Sequence, residues 1–385
     1  MLLTAIVAKY QAEAERRGAP KGNPTGSRFG TCAAQLQMLM YGERTHPEGY
    51  PARAIMRFEE GDQVEAWFAK QIREATGGMW GLQQEPFYFA VPLGSQAEVD
   101  EVLRKFREPV GKYSHRLWGT LRSGFTPPRI SAIPGAIPEG DRDLFAAPVP
   151  AGQRPRLKIR VQGLQQGVEL SSGPSSGKKK VRGVGLVLDP DTKTLWCPAF
   201  VDGLVMHDEV GLAVAEIKSM SNFAFRRARL GDLDYGKRCQ AAGIVEATGL
   251  PFVMFAKREE TCHLLEIAYA RDVKRTIVRI QKSNGVEDVY FVRPPANGDD
   301  PALLGADGTD AAFLPDDQWF LAGVATPWDP GLIEEIRERI RKVVLVDPDK
   351  GWDREFGPSF DCLKCLGERL LVCGHCKGSG RTPKN

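Results

Sequence analysis

The sequence lacks any run approaching eighteen apolar residues, so a transmembrane helix is not expected. Its first residues, Met1, Leu2 and Leu3 running on to Lys9 and Glu13, lack the zoned layout of a signal peptide. Internal repeats, a GxxxxGK[ST] phosphate loop and a helicase signature are also missing, so ATP-driven unwinding would need a partner chain. Charge of one sign is scarce: 52 Lys and Arg against 49 Asp and Glu give a formal net charge of +3. That balance excludes a global basic field as the basis of nucleic-acid contact. The hydrophobic share of 42% is that of an ordinary globular protein, and 385 residues suffice for two or three modules. The expectation is an intracellular, cytoplasmic enzyme without a membrane partner.

Charge is nonetheless uneven. Residues 151–182 hold Arg154, Arg156, Lys158, Arg160, Lys178, Lys179, Lys180 and Arg182 against the single acid Glu169, and Arg226, Arg227 and Arg229 form a second cluster. Such clusters neutralise DNA phosphates, although they also form ordinary solvated faces.

Two apolar, β-prone runs flank His207-Asp208-Glu209-Val210-Gly211, which reads as the turn of a hairpin. Pairing about that turn places Asp202 opposite Glu216. Opposed side chains on one sheet face lie about 4.5–5.5 Å apart, where two carboxylates repel unless compensated, and a divalent cation would compensate them. Lys218, two residues after Glu216, points the same way. Two hard oxygen ligands beside an ammonium suit metal-assisted phosphodiester hydrolysis: Mg²⁺ takes few carboxylates and keeps several waters, one of which a lysine orients or deprotonates. The same residues also suit an ordinary hairpin with solvent-facing charges.

Between residues 54 and 72, Phe58, Gly61, Phe68 and Ile72 recur at helical spacing, and Glu65 continues the stripe. An acid on a core-facing stripe needs a partner, and Gly61 is expected to let the helix approach another backbone closely. Leu233 to Thr248 reads as a helix carrying Gln240 and stopped by Gly249-Leu250-Pro251. The apolar run 252–256, closing on Lys257, reads as a buried strand.

In this order, a helix with G-x-x-x-E, a strand with Asp202, a strand with Glu216-Ile217-Lys218, a helix with Gln240 and a strand ending in Lys257 resemble the PD-(D/E)xK nuclease superfamily. The resemblance is to its RecB-like and lambda-exonuclease-like branch and covers mainly residues 27–75 and 180–270. It implies an α/β, restriction-endonuclease-like core, a mixed central sheet flanked by helices. It implies a metal-dependent deoxyribonuclease, foremost an exonuclease of recombination, repair or phage replication, with DNA as partner and an annealing protein or helicase as companion. It further implies Mg or Mn on Glu65, Asp202, Glu216 and the Ile217 carbonyl, Lys218 as the catalytic lysine, and Gln240 beside the site. Two positions depart from the family pattern: Ile244 stands where relatives often carry Tyr, and Ala199 where Gly is common.

Cys362, Cys365, Cys373 and Cys376 form two CxxC pairs seven residues apart, with glycines after the second. That spacing reads as a small C-terminal four-thiolate zinc module, and without export signals it favours metal over disulfides. The C-x-x-C-x-G-x-G wording is similar to one repeat of the DnaJ cysteine-rich domain, but the chain has no His-Pro-Asp signature. Cys32 offers a competing assignment. Iron–sulfur nucleases of the same superfamily, of the CRISPR-adaptation type, resemble a layout in which one N-terminal and three C-terminal cysteines hold a four-iron four-sulfur cluster. A reading of another class is a non-catalytic, zinc-containing nucleic-acid-binding protein. With zinc on the quartet, Cys32, Cys197, Cys239 and Cys262 are expected to be buried thiols.

The expected organisation is an N-terminal helix and linker over 1–26, and a nuclease domain over 27–294 with a poorly periodic insertion at about 76–182. An acidic linker without Lys or Arg follows over 295–317, a helical segment over 318–357 with its amphipathic helix from Pro330 to Val343, and the cysteine-rich tail over 358–385.

Overall fold

A ten-stranded mixed sheet organises the chain in the computed structural model. The structure describes residues 7–13, 24–31, 36–37, 40, 52–76, 79–80, 86–109, 117–132, 159–162, 185–207, 210–259, 261, 263–270, 273–282, 284–293, 301–327 and 329–346. Helix α1 (Ala52–Thr76) leads into β1 (Met79–Trp80), β2 (Phe87–Pro92), α2 (Gln96–Arg107), β3 (Gly119–Leu121), β4 (Arg129–Ala132) and β5 (Ile159–Gln162). Next come β6 (Leu186–Asp189), β7 (Thr194–Ala199), β8 (Gly203–His207), β9 (Gly211–Met220), α3 (Asn222–Ala228), α4 (Tyr235–Thr248), β10 (Phe252–Arg258) and β11 (Leu264–Ala270). The last elements are β12 (Ile277–Lys282), β13 (Glu287–Arg293), β14 (Ala302–Leu304), β15 (Asp310–Ala311), β16 (Trp319–Pro327) and α5 (Gly331–Leu345).

The large sheet runs β1-β8-β9-β10-β11-β16-β12-β13-β14-β15; a smaller one runs β2-β7-β6-β3, and β4 pairs with β5. Strands β9 and β10 are parallel, which requires the crossover that α3 and α4 provide. Both faces of this pair are covered, so its apolar residues are nearly continuous. Helix α1 covers one face through Phe68, Val64 and Ile72, which pack with Ala215, Ile217 and Phe255. On the other face, Val214, Phe252 and Met254 join α4 residues such as Cys239, Ala241 and Ile244 in the main core.

Helix α4 lies against both β9–β10 and β2, and its residues from Cys239 to Val245 are buried. Burial on nearly every side demands small residues. A Cβ on Gly243 would come within 2.1 Å of the Phe29 ring, and one on Gly30 within 2.4 Å of the Gly236 Cα, so glycine permits this approach. Asp234 caps the helix by accepting a hydrogen bond from the Lys237 amide at 3.0 Å, and Gly249 ends it in the left-handed region at φ 73°. At the far side of the same core, the buried Lys105 ammonium donates to the carbonyls of Val344 and Leu345, both at 2.7 Å, at the end of α5.

Several expectations are corrected here. The segment 295–317 is not simply a linker: β14 and β15 extend the sheet through a turn at Asp307-Gly308, where Gly308 has φ 81° and Asp307 Oδ1 accepts from the Thr309 amide. Residues 319–327 are not helical. They form β16 between β11 and β12, as suits a run of Trp, Phe, Val and Thr. The helix of that segment, α5, lies at Gly331–Leu345. The stretch 76–182 contributes structure as well, since β1 pairs with β8 and β2 with β7. Among the described residues, a Cβ on Gly61 would meet nothing within 4 Å, so none of their backbone approaches closely there. Cys197 and Cys239 are buried free thiols. Cys32, Cys262, the Cys362, Cys365, Cys373 and Cys376 quartet, Lys178, Lys179, Lys180 and Arg182 lie outside the described residues. Among the described residues, no helix is long and apolar enough to cross a membrane.

Candidate active site

The hairpin pairs His207 with Gly211 and Gly203 with Ala215, so one further step of the register sets Asp202 opposite Glu216. Strand pairing stops at Gly203, and the Asp202 side chain continues it by accepting a hydrogen bond from the Ile217 amide at 2.8 Å. In an antiparallel ladder a residue's N–H and C=O point to the same neighbour, so the Ile217 carbonyl leaves β9 on the Asp202 side. This strand end therefore presents oxygen donors from backbone and side chain together.

Glu216 has a side chain only 6% exposed, and a buried carboxylate requires partners. It has two. Lys218 donates to its Oε1, and Gln240 Nε2 on α4 donates to the same oxygen at 2.7 Å. Gln240 sits one turn after Gly236 and one before Gly243, so the close packing that seats α4 also sets the reach of its amide. Burial alone would push the Lys218 ammonium down. The charges of Glu216 and Asp202, the hydrogen bond to Glu216 and, least, the charge of Glu65 outweigh it and hold the pKa above the ordinary lysine value. Lys218 is thus a stably protonated donor between carboxylates, and Glu65 of α1 belongs to its electrostatic environment.

The Lys218 ammonium, which donates to Glu216 and feels the charge of Asp202, offsets part of the repulsion between the two carboxylates. Among the described residues, no three His, Cys, Asp or Glu side chains gather as a metal-binding group. In kind, the donors fit a hard divalent ion: the Asp202 and Glu216 carboxylates and the Ile217 carbonyl share one strand end, with Glu65 nearby.

The basic cluster divides. Arg226 and Arg227 are exposed on α3, with Arg227 2.5 Å from Asp232. Arg229 turns inward, 3.6 Å from the centre of the Phe313 ring and 3.7 Å from Asp316, and burial lowers its pKa to about 10. It is a packing residue, which corrects its assignment to DNA. A residue missed in the sequence is Arg258, only 5% exposed, whose guanidinium donates to Asn222 at the start of α3 and to Asp316 Oδ2 at 2.5 Å. It ties the end of β10 to the helix that follows the lysine strand. Nothing local could reveal this, because Asp316 is 58 residues away. His207, 2.8 Å from Glu266, was likewise read only as part of a turn. That pair borders a cavity of about 380 Å³ on the α1 face, which Asp202, Glu216 and Lys218 do not line. No family model, curated protein or solved structure matches the chain.

Proposed function

We propose that this chain is a metal-dependent deoxyribonuclease of the PD-(D/E)xK type, with a restriction-endonuclease-like core, acting as an exonuclease in recombination, repair or phage replication. One observation carries the reading: Asp202, Glu216, Lys218 and Gln240 converge from a loop, a strand and a helix at the end of the β8–β9 pairing. The element order supports it, with α1 before the hairpin and α4 between the parallel strands β9 and β10. In this reading the protein works on DNA in a bacterial or phage-infected cytoplasm, beside a helicase or annealing protein.

Asp202, Glu216, the Ile217 carbonyl and Glu65 would hold Mg²⁺ or Mn²⁺, which when bound supplies Lewis acidity and an activated water. Gln240 fixes the Glu216 carboxylate by donating to Oε1. Lys218 presents an ammonium that orients the attacking water and offsets charge building on the phosphate oxygens. The direct test is end-labelled single- and double-stranded DNA incubated with Mg²⁺, Mn²⁺ or EDTA. Cleavage that requires the metal is expected, and its absence with both metals would remove the proposal and favour a non-catalytic nucleic-acid-binding protein.

Glu65→Gln is expected to raise the metal concentration needed for half-maximal cleavage by about tenfold or more, since it removes a charge from the proposed ligand set. If Glu65→Leu instead stabilises the protein and keeps activity, Glu65 is a tolerated surface charge.

For Cys362, Cys365, Cys373 and Cys376 we propose zinc, about one ion per chain, in a colourless protein whose nuclease core keeps its order when the ion is chelated. The iron–sulfur alternative gives a brown protein that loses iron on Cys32→Ser. Elemental analysis of anaerobically purified wild type beside Cys32→Ser separates the two.

A further inference from the structure

Two large aromatic side chains stand in water beside the end of β9, each with a cation over its ring. Trp67 on α1 is 41% exposed and Phe223 on α3 is 72% exposed. Lys257 Nζ lies 5.6 Å from the Trp67 ring centre, and the Arg227 guanidinium 5.9 Å from that of Phe223. Both pairs are close to Lys218 along the fold. Lys257 is the strand partner of Ser219, the residue after Lys218, and Phe223 is the second residue of the helix that begins just beyond Met220. The two aromatic–cation pairs therefore flank the carboxyl ends of the parallel strands β9 and β10 from two sides: Lys257 shares the α1 face with Phe255, whereas α3 is anchored by Phe225 in the core on the other face.

A single exposed aromatic residue is common on protein surfaces and needs no explanation. Here the same unit occurs twice, and Arg226 adds an exposed charge on the same short helix. The patch is not uniformly basic: Asp232 pairs with Arg227, and Glu259 is exposed at the end of β10. That mixture is poorly suited to a duplex, whose affinity comes from neutralising many phosphates over an extended surface. It is well suited to a single strand, whose unstacked bases lie on aromatic faces while a few cations track the backbone.

We propose that Trp67 and Phe223 are base-stacking platforms for single-stranded DNA, with Lys257, Arg226 and Arg227 meeting its phosphates, so that a single strand crossing the carboxyl ends of β9 and β10 between them runs past Lys218. The inference rests on the nuclease reading for the identity of the reacting site, and names the strand form it takes.

The test uses the full chain carrying Lys218→Gln in EDTA, with fluorescence anisotropy of a labelled oligothymidylate and of a labelled blunt duplex. Trp67→Ala and Phe223→Ala are each expected to weaken single-strand binding roughly tenfold, and duplex binding less than about twofold. Trp67→Phe, which keeps a stacking face, is expected to retain most of the affinity. Phe223 is exposed enough to be truncated without opening the core, so the test survives if Trp67→Ala does not fold. Unchanged single-strand affinity in Phe223→Ala, or an equal loss on duplex, overturns the proposal. Cleavage by the unsubstituted protein is scored separately. Strand-selective binding without cutting removes the nuclease reading and leaves the interface, whereas metal-dependent cutting with unaltered binding in the alanine variants does the reverse.

Discussion

Lys218→Ala is expected to lower metal-dependent DNA cleavage by roughly 10²–10³-fold, the scale associated with losing one preorganised charge-stabilising donor. Glu216→Ala should be at least as damaging, because Glu216 is the shared acceptor of Lys218 and Gln240. The lysine variant also removes the ammonium that accompanies a buried carboxylate, and a buried group deprived of its partner costs about 1–3 kcal/mol. Activity must therefore be compared with folding. Lys218→Gln keeps a donor at the position and should melt near the wild type while remaining inactive. Single-turnover cleavage assays beside thermal melts provide the comparison. Turnover at the wild-type level in any of these variants would mean that the Asp202–Glu216–Lys218 cluster is structural.

The largest stability effect is expected at Trp319, at the start of β16. Its side chain is 2% exposed and packs against Phe225, Phe313 and His263, with ring centres 6.3, 5.2 and 4.5 Å away. Trp319→Ala should cost about 3–5 kcal/mol, the usual range for emptying a core aromatic site. The indole nitrogen is buried without a hydrogen-bond partner among the described residues. Trp319→Phe discards that unsatisfied donor along with some volume, so its cost should stay below about 1.5 kcal/mol. Urea titrations of the two variants decide the matter. An alanine variant as stable as the wild type would place β16 outside the core.

The elements set by local rules were legible in the sequence. Gly211 and the apolar, β-prone runs around it revealed the hairpin, and with it the alignment of Asp202 with Glu216. The Gly249-Leu250-Pro251 stop marked the end of α4, and the stripe through Phe68 and Ile72 marked the face of α1. What was missed depends on distant partners. Strand β16 becomes a strand by fitting between β11 and β12, and its apolar run has no alternation to separate it from a helix. Strands β14 and β15 were obscured by their acidic composition, although Asp307-Gly308 is a hairpin dipeptide that could have betrayed them. Arg229 and Arg258 look like surface cations until Phe313 and Asp316 are brought against them.

The end of the β8–β9 pairing also bears on how this chain can vary. Hairpin tips are ordinarily where insertions and deletions pass unnoticed. Here the segment between His207 and Gly211 sets the phase of both strands. A net change of one residue would slide the strands by one step and turn one of the two carboxylates toward the opposite face of the sheet. The pairing of Asp202 with Glu216 could not survive that slip. The length of the segment joining these strands is thus constrained by chemistry at their far end.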